Sequence, residues 1–104
     1  MPDTSHIQLD KMRAAAGEAS LMLRSLGNQD RLLLLCQLCE EELCVSDLEE
    51  RLDIHQPSLS QQLGVLRREG LVATRKEGKR VYYRVADRRV LALLQTLYQL
   101  YCAE

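Results

Sequence analysis

The chain has 104 residues, 46% of them hydrophobic, with 14 Lys+Arg against 15 Asp+Glu and a formal net charge of −1. That length allows one compact domain over residues 1–104, and the apolar content excludes intrinsic disorder. Apolar runs such as Leu32 to Cys36 and Val90 to Leu94 are only five residues long, which excludes a membrane-spanning helix.

Residues 1–6 are polar, include Pro2, and are expected to fray. No charged-then-apolar leader opens the chain, so a cytoplasmic protein is expected. From Ile7 to Leu26 the apolar positions Leu9, Met12, Ala16, Ala19, Leu23 and Leu26 step by three and four, the stripe of an amphipathic helix. Gly27-Asn28 breaks it, and a second, nearly all-apolar helix follows from Gln29 to Glu41. Ser46-Asp47-Leu48-Glu49 has the form of a capping box opening a short helix to Leu52. After Asp53-Ile54-His55, a further helix starts at Gln56-Pro57-Ser58, runs through Arg68 and closes at Gly70. Val72–Arg75 and Val81–Val85 then alternate as strands around a Lys76-Glu77-Gly78-Lys79 loop. Asp87 caps a last helix from Arg88 to Cys102, whose apolar residues cover more than one face. The expected order is α-α-α-α-β-β-α, mainly α with one β-hairpin, and the surplus apolar surface predicts a homodimer through the first and last helices.

Two short helices joined by a tight turn and followed by a hairpin make a winged helix-turn-helix. The second of those helices displays Gln56, Ser58, Ser60, Gln61 and Gln62, polar groups suited to base edges and phosphates in a major groove. Arg67 and Arg68 add charge at its end, and Lys76, Lys79 and Arg80 sit at the hairpin tip. The near-zero total conceals a segregation: residues 1–54 carry 5 basic and 11 acidic side chains, residues 55–104 carry 9 and 4. Within Arg67–Arg89 the excess is 9 against 3, a net of +6. A double-stranded DNA partner follows; a winged helix used only for protein contacts is the competing reading.

Four cysteines, Cys36, Cys39, Cys44 and Cys102, are many for a cytosolic chain of this size. In a reducing compartment they point to redox chemistry or soft-metal binding rather than structural disulfides, against the alternative of packing as small hydrophobes. Cys36 and Cys39 are one helical turn apart, and with Cys44 or Cys102 could build a three-thiolate site for arsenite, cadmium or copper(I). His6 lies in the expected fraying tail and His55 at the entry to the recognition helix. Neither makes a nucleophile–base pair, and no phosphate loop or paired-carboxylate site is visible, so no enzyme and no cofactor are expected.

The stretch Ile54-His55-Gln56-Pro57-Ser58-Leu59-Ser60-Gln61-Gln62-Leu63-Gly64-Val65-Leu66-Arg67, with Glu69-Gly70-Leu71-Val72 and the strand Val81-Tyr82-Tyr83-Arg84-Val85, resembles the ArsR/SmtB family of bacterial repressors. The resemblance covers about residues 20–103 and implies a dimeric winged-helix repressor that leaves operator DNA when an inducer binds. Glu42-Leu43-Cys44-Val45-Ser46-Asp47-Leu48 is similar to the family's metal box, but Ser46 stands where the arsenic- and cadmium-sensing form has a second Cys. Arg89 and Leu100 stand where the zinc-sensing members carry His, and neither ligates zinc. The contexts of Cys36 and Cys102 resemble the BigR/SqrR subgroup, which senses reactive sulfur species. That resemblance implies that Cys36 and Cys102 are the sensing dithiol, cross-linked in the form that releases DNA.

Overall fold

The computed structural model describes residues 6–102. Residues 1–5, most of the segment expected to fray, lie outside the described residues, and His6 is the first residue of the first helix. The elements are α1 (His6–Leu26), α2 (Gln29–Glu40), β1 (Leu43–Cys44), α3 (Val45–Leu52), α4 (Ser58–Arg68), β2 (Val72–Glu77), β3 (Arg80–Val85) and α5 (Arg88–Tyr101). The winged helix-turn-helix is therefore present, with one addition. Leu43 and Cys44 pair antiparallel with Tyr83 and Tyr82, making a three-stranded sheet in the order β1-β3-β2.

Local chemistry sets most of the boundaries. Asn28 Oδ1 accepts from the Arg31 backbone N–H at 3.0 Å and starts α2, and Asp30 in the first turn complements the helix dipole. Asp87 does the same for α5, accepting from the Arg89 N–H at 2.9 Å. The cap of α3 corrects the expected Ser46–Glu49 box. The N-cap residue is Cys44, and Asp47 three residues on accepts both the Cys44 backbone N–H (3.4 Å) and its thiol (3.1 Å). The box moved because β1 pins Cys44 in extended backbone, leaving Ser46 already helical.

The C-terminus of α4 is closed as the sequence suggested. Gly70 adopts φ +74, its N–H bonds Arg67 C=O at 3.0 Å, and the Leu71 N–H bonds Leu66 C=O at 2.9 Å. This Schellman arrangement also brings the buried side chains of Leu66 and Leu71 together and turns the chain into β2. The hairpin turn is shorter than expected. Strand pairing continues to Glu77↔Arg80, so the turn is Gly78-Lys79, with Gly78 at φ +64, and Lys76 and Arg80 lie on strands.

The core is aliphatic. Leu34, Leu35 and Leu38 of α2, Leu48 of α3, Leu59, Leu63 and Leu66 of α4, and Val90 and Leu94 of α5 converge with Leu43 and Val72. Leu59, Leu63 and Leu66 recur at i, i+4 and i+7 and are 0–1% exposed, which fixes the face of α4 that points inward. Among the described residues no helix is long and apolar enough to cross a membrane. Most of the α1 stripe is not buried by its own chain. Leu9, Met12 and Leu23 are exposed, and only Leu26 enters the core.

Candidate nucleic-acid interface and thiol pair

With its leucines turned inward, α4 presents Ser60 and Gln61 to solvent, and Gln56 is exposed just ahead of it. Two of the glutamines already have local duties. Gln56 Oε1 accepts the Ser60 N–H at 3.1 Å, serving the first turn of α4. Gln62, half-buried, accepts a hydrogen bond from Arg31 Nη1 at 2.9 Å. A guanidinium only donates, so it is the amide oxygen of Gln62 that is engaged. That bond fixes the orientation of the Gln62 amide and takes one of the two lone pairs of its oxygen. Ser58 is half-buried, leaving Ser60 and Gln61 the most accessible of the expected reading residues.

The wing separates its cations into two sets. Arg75 is consumed locally: it pairs with Glu42 (2.7 Å) and Glu77 (2.7 Å) and lies 4.7 Å from the Tyr82 ring centroid. Arg67, Arg68, Lys76 and Lys79 are exposed and form no ion pair among the described residues. Arg80 is likewise without an ion pair, next to Tyr82. The uncommitted cations thus run from the end of α4 along the hairpin. The acidic run Glu40-Glu41-Glu42, expected to face solvent, is partly engaged. Glu41 pairs with Arg51 at 2.7 Å, and half-buried Glu42 holds Arg75 and so anchors the hairpin to the α2–β1 connection.

His55 lies in the turn between α3 and α4. Its Nε2 is 2.6 Å from Asp53 Oδ1 and its Nδ1 3.5 Å from Glu49 Oε2. Both nitrogens donate only in the imidazolium, so the hydrogen bond to Asp53 first, and that to Glu49 next, hold its pKa above the ordinary 6.5. A raised folded-state pKa means that the stabilisation is complete below the unfolded value near 6.5 and fades as pH rises through the folded value. A proton NMR titration is expected to place His55 above 6.5, and His55→Gln to remove that part of the pH dependence of Tm; a His55 midpoint at or below 6.5 contradicts the contact.

The four cysteines fall in distinct environments. Cys44 is buried, 4% exposed, with Sγ 3.2 Å from Ser46 Oγ and its thiol donating to Asp47, whose carboxyl is thereby held below the usual carboxylate range. Cys39 is half-buried and its thiol is pushed up to about 11, by burial first and then by Cys36 and Glu40. Cys36 and Cys102 are both exposed. Cys36 on α2 is nevertheless raised, by partial burial first, then by Cys102 at the C-cap of α5, then by Glu40. Cys102 is close enough for its charge to be felt at Cys36, and α2 packs against α5. Among the described residues, no three His, Cys, Asp or Glu side chains come together as a metal site.

Residues 28–74, the segment holding α2, α3, α4 and the start of the wing, match the family described as bacterial regulatory protein, arsR family. The chain is 45% identical to the biofilm growth-associated repressor of Agrobacterium fabrum, over 97% of this chain and 86% of that one. The chain belongs to the arsR family. Its structure is similar to that of the transcriptional repressor BigR from Xylella fastidiosa, with a TM-score of 0.86 and 41% identity over 91% of this chain and 97% of that one. It is also similar to a homodimeric winged helix-turn-helix DNA-binding domain from Mycobacterium bovis, described as a possible ArsR-family transcriptional regulator. There the TM-score is 0.74 and the identity 28%, over 96% of this chain and 89% of that one.

The arsR family consists of DNA-binding transcriptional regulators, not enzymes. The segment similar to the family's metal box is used structurally in this fold. Cys44 and Asp47 cap α3, with Ser46 closing over the thiol. Sequence reasoning passed over Arg31, whose partner Gln62 is 31 positions away, a separation no local pattern signals.

Proposed function

We propose that this arsR-family protein is a homodimeric, dithiol-controlled repressor. Reduced, it binds palindromic operator DNA; when reactive sulfur species or oxidant cross-link Cys36 and Cys102, it is released. It acts in the cytoplasm without a cofactor. The observation that supports the reading is two exposed thiols on helices that pack together, Cys36 of α2 and Cys102 at the C-cap of α5. Ser60 and Gln61, with contributions from Gln56, Ser58 and Gln62, read the major groove; Arg67, Arg68, Lys76, Lys79 and Arg80 hold phosphate.

The chemistry balances without a metal. The Cys36 thiolate attacks the outer sulfur of glutathione persulfide, giving a Cys36 persulfide and glutathione thiolate. The Cys102 thiolate then attacks the inner sulfur, forming the Cys36–Cys102 disulfide and expelling hydrosulfide. Two thiols are oxidised and one sulfane sulfur is reduced. If both cysteines are first persulfidated, their condensation leaves a trisulfide and hydrogen sulfide. Either bridge ties α2 to the end of α5.

The dimer supports the switch. Leu91, Tyr98, Leu100 and Tyr101 of α5 are 41, 57, 71 and 82% exposed, a degree of apolar exposure that a lone chain does not tolerate well. Between α1 and α5 runs an open apolar groove of about 540 Å³, lined by Ala15, Ala19, Met22, Leu23, Ala92 and Leu93. A second copy covering α1 and α5 fits these faces, and the similar Mycobacterium bovis domain is homodimeric. Leu100→Asp is expected to shift the protein to monomer in sedimentation velocity at micromolar concentration and to abolish high-affinity binding to a palindrome. An unchanged sedimentation coefficient contradicts this interface.

The whole reading is tested by mobility shift on a duplex enriched from a random pool. Reduced protein is expected to retard it, and treatment with glutathione persulfide to release it. Retention after treatment, or release of reduced protein by arsenite or cadmium alone, contradicts the dithiol reading.

A further inference from the structure

Arg31 occupies a junction of three helices. Its backbone N–H completes the Asn28 cap of α2 at 3.0 Å. Its guanidinium donates through Nε to the Ser25 carbonyl (2.5 Å), through Nη2 to the Arg24 carbonyl (3.3 Å) and through Nη1 to Gln62 Oε1 (2.9 Å). The first two acceptors belong to the last turn of α1, where the Arg24 carbonyl also accepts the Gly27 N–H at 3.3 Å and where the helix dipole favours a cation. The third lies on α4. Ser25 is buried and both Arg31 and Gln62 are half-buried, so the junction is partly shielded from water and the fork geometry is held. Arg31 itself makes no ion pair among the described residues, so its charge is committed to carbonyl and amide oxygens.

We propose that Arg31 is a positioning residue for DNA recognition: through Gln62 it fixes the pose of α4 against the α1–α2 junction. This inference rests on the reading of α4 as the recognition helix. Its consequence for that reading is specific. α1 carries much of the apolar face offered to a second copy and α2 carries Cys36, so the Arg31 fork ties the reading helix to both the dimer face and the sensing helix. A palindrome is bound only when two recognition helices are held at the half-site spacing, about one helical turn of DNA. Loosening α4 in each protomer therefore weakens operator binding without removing any contact to phosphate. Lysine does not substitute, because one ammonium on a flexible stem cannot span the two α1 carbonyls and the Gln62 amide as a planar fork does.

The test uses the full-length dimer and a duplex enriched by the wild type from a random pool, with affinity read by fluorescence anisotropy over a series of salt concentrations. Arg31→Lys, Arg31→Leu and Gln62→Met are each expected to lower operator affinity by about tenfold. Arg31→Lys with Gln62→Met together is expected to be no weaker than the worse single variant by more than about twofold, because both changes cut one link. The slope of log K against log salt is expected to match the wild type. Arg31→Lys keeps the charge and carries the test if Arg31→Leu does not fold. Affinities within about twofold of wild type, additive losses in the double variant, or a slope reduced by about two per dimer, the mark of Arg31 touching phosphate itself, overturn the inference. A wild-type protein that enriches no sequence is a separate result: it overturns the assignment of α4 as the recognition helix, and the inference with it.

Discussion

Cys36→Ser and Cys102→Ser proteins are expected to stay bound to the operator under persulfide, under conditions where the wild type is expected to be released. Each variant retains one thiol and can reach a persulfide adduct, but neither can tie α2 to the end of α5. The expected change in wild-type affinity is about 5- to 150-fold, the range of typical coupling energies between two sites. Cys39→Ser is expected to release normally. Its thiol is half-buried and pushed up to about 11, so very little of it is thiolate at neutral pH. Cys36 is also raised, by burial and by the charges of Cys102 and Glu40, so its capture of sulfane sulfur accelerates as pH rises above neutrality. Mobility shift with intact-mass analysis of the same samples checks all of this. Release of either serine variant to the wild-type extent contradicts a bridge between these two residues.

Replacing Lys76, Lys79 and Arg80 together with alanine is expected to weaken binding to every duplex by roughly 100-fold at moderate salt. The loss is sequence-independent because none of the three forms an ion pair among the described residues; Arg80 lies against Tyr82 but its charge is not matched there by a carboxylate ion pair. A dimer loses six cations, so the salt slope is expected to fall by about five if all six contact phosphate. Arg75→Ala behaves differently. Its guanidinium already serves Glu42, Glu77 and the Tyr82 ring, so its removal loosens the hairpin and leaves the slope nearly unchanged. Ser60→Ala or Gln61→Ala changes which sequences are enriched more than how salt acts. An unaltered slope in the triple variant removes the wing from the interface.

Features that depend on neighbours in sequence were legible before the fold was known. The i, i+4, i+7 leucines of α4, the glycine that closes it and the Asp87 cap of α5 all sit within a few residues of what they control. The strand Leu43–Cys44 was not legible. Two residues carry no period, and their extended backbone comes from pairing with Tyr83 and Tyr82, about forty positions downstream. That pairing also moved the α3 cap from Ser46 to Cys44 and brought the Asp47 carboxylate to the thiol. The charge segregation was visible as a sum, but its division was not. Only the fold reveals that Glu42 and Arg75 are paired, and that Arg31, in the acidic half, donates to Gln62 of α4.

On the proposed function, a covalent link between α2 and the end of α5 lowers DNA affinity. This is tested most directly by separating the linked form from a persulfide-treated preparation, verifying the Cys36–Cys102 bridge by peptide mass, and measuring its operator affinity beside that of the reduced dimer. The linked form is expected to bind at least about fivefold more weakly and to recover fully when a thiol reductant opens the bridge. A linked form that binds as tightly as the reduced dimer shows that the bridge does not control DNA binding.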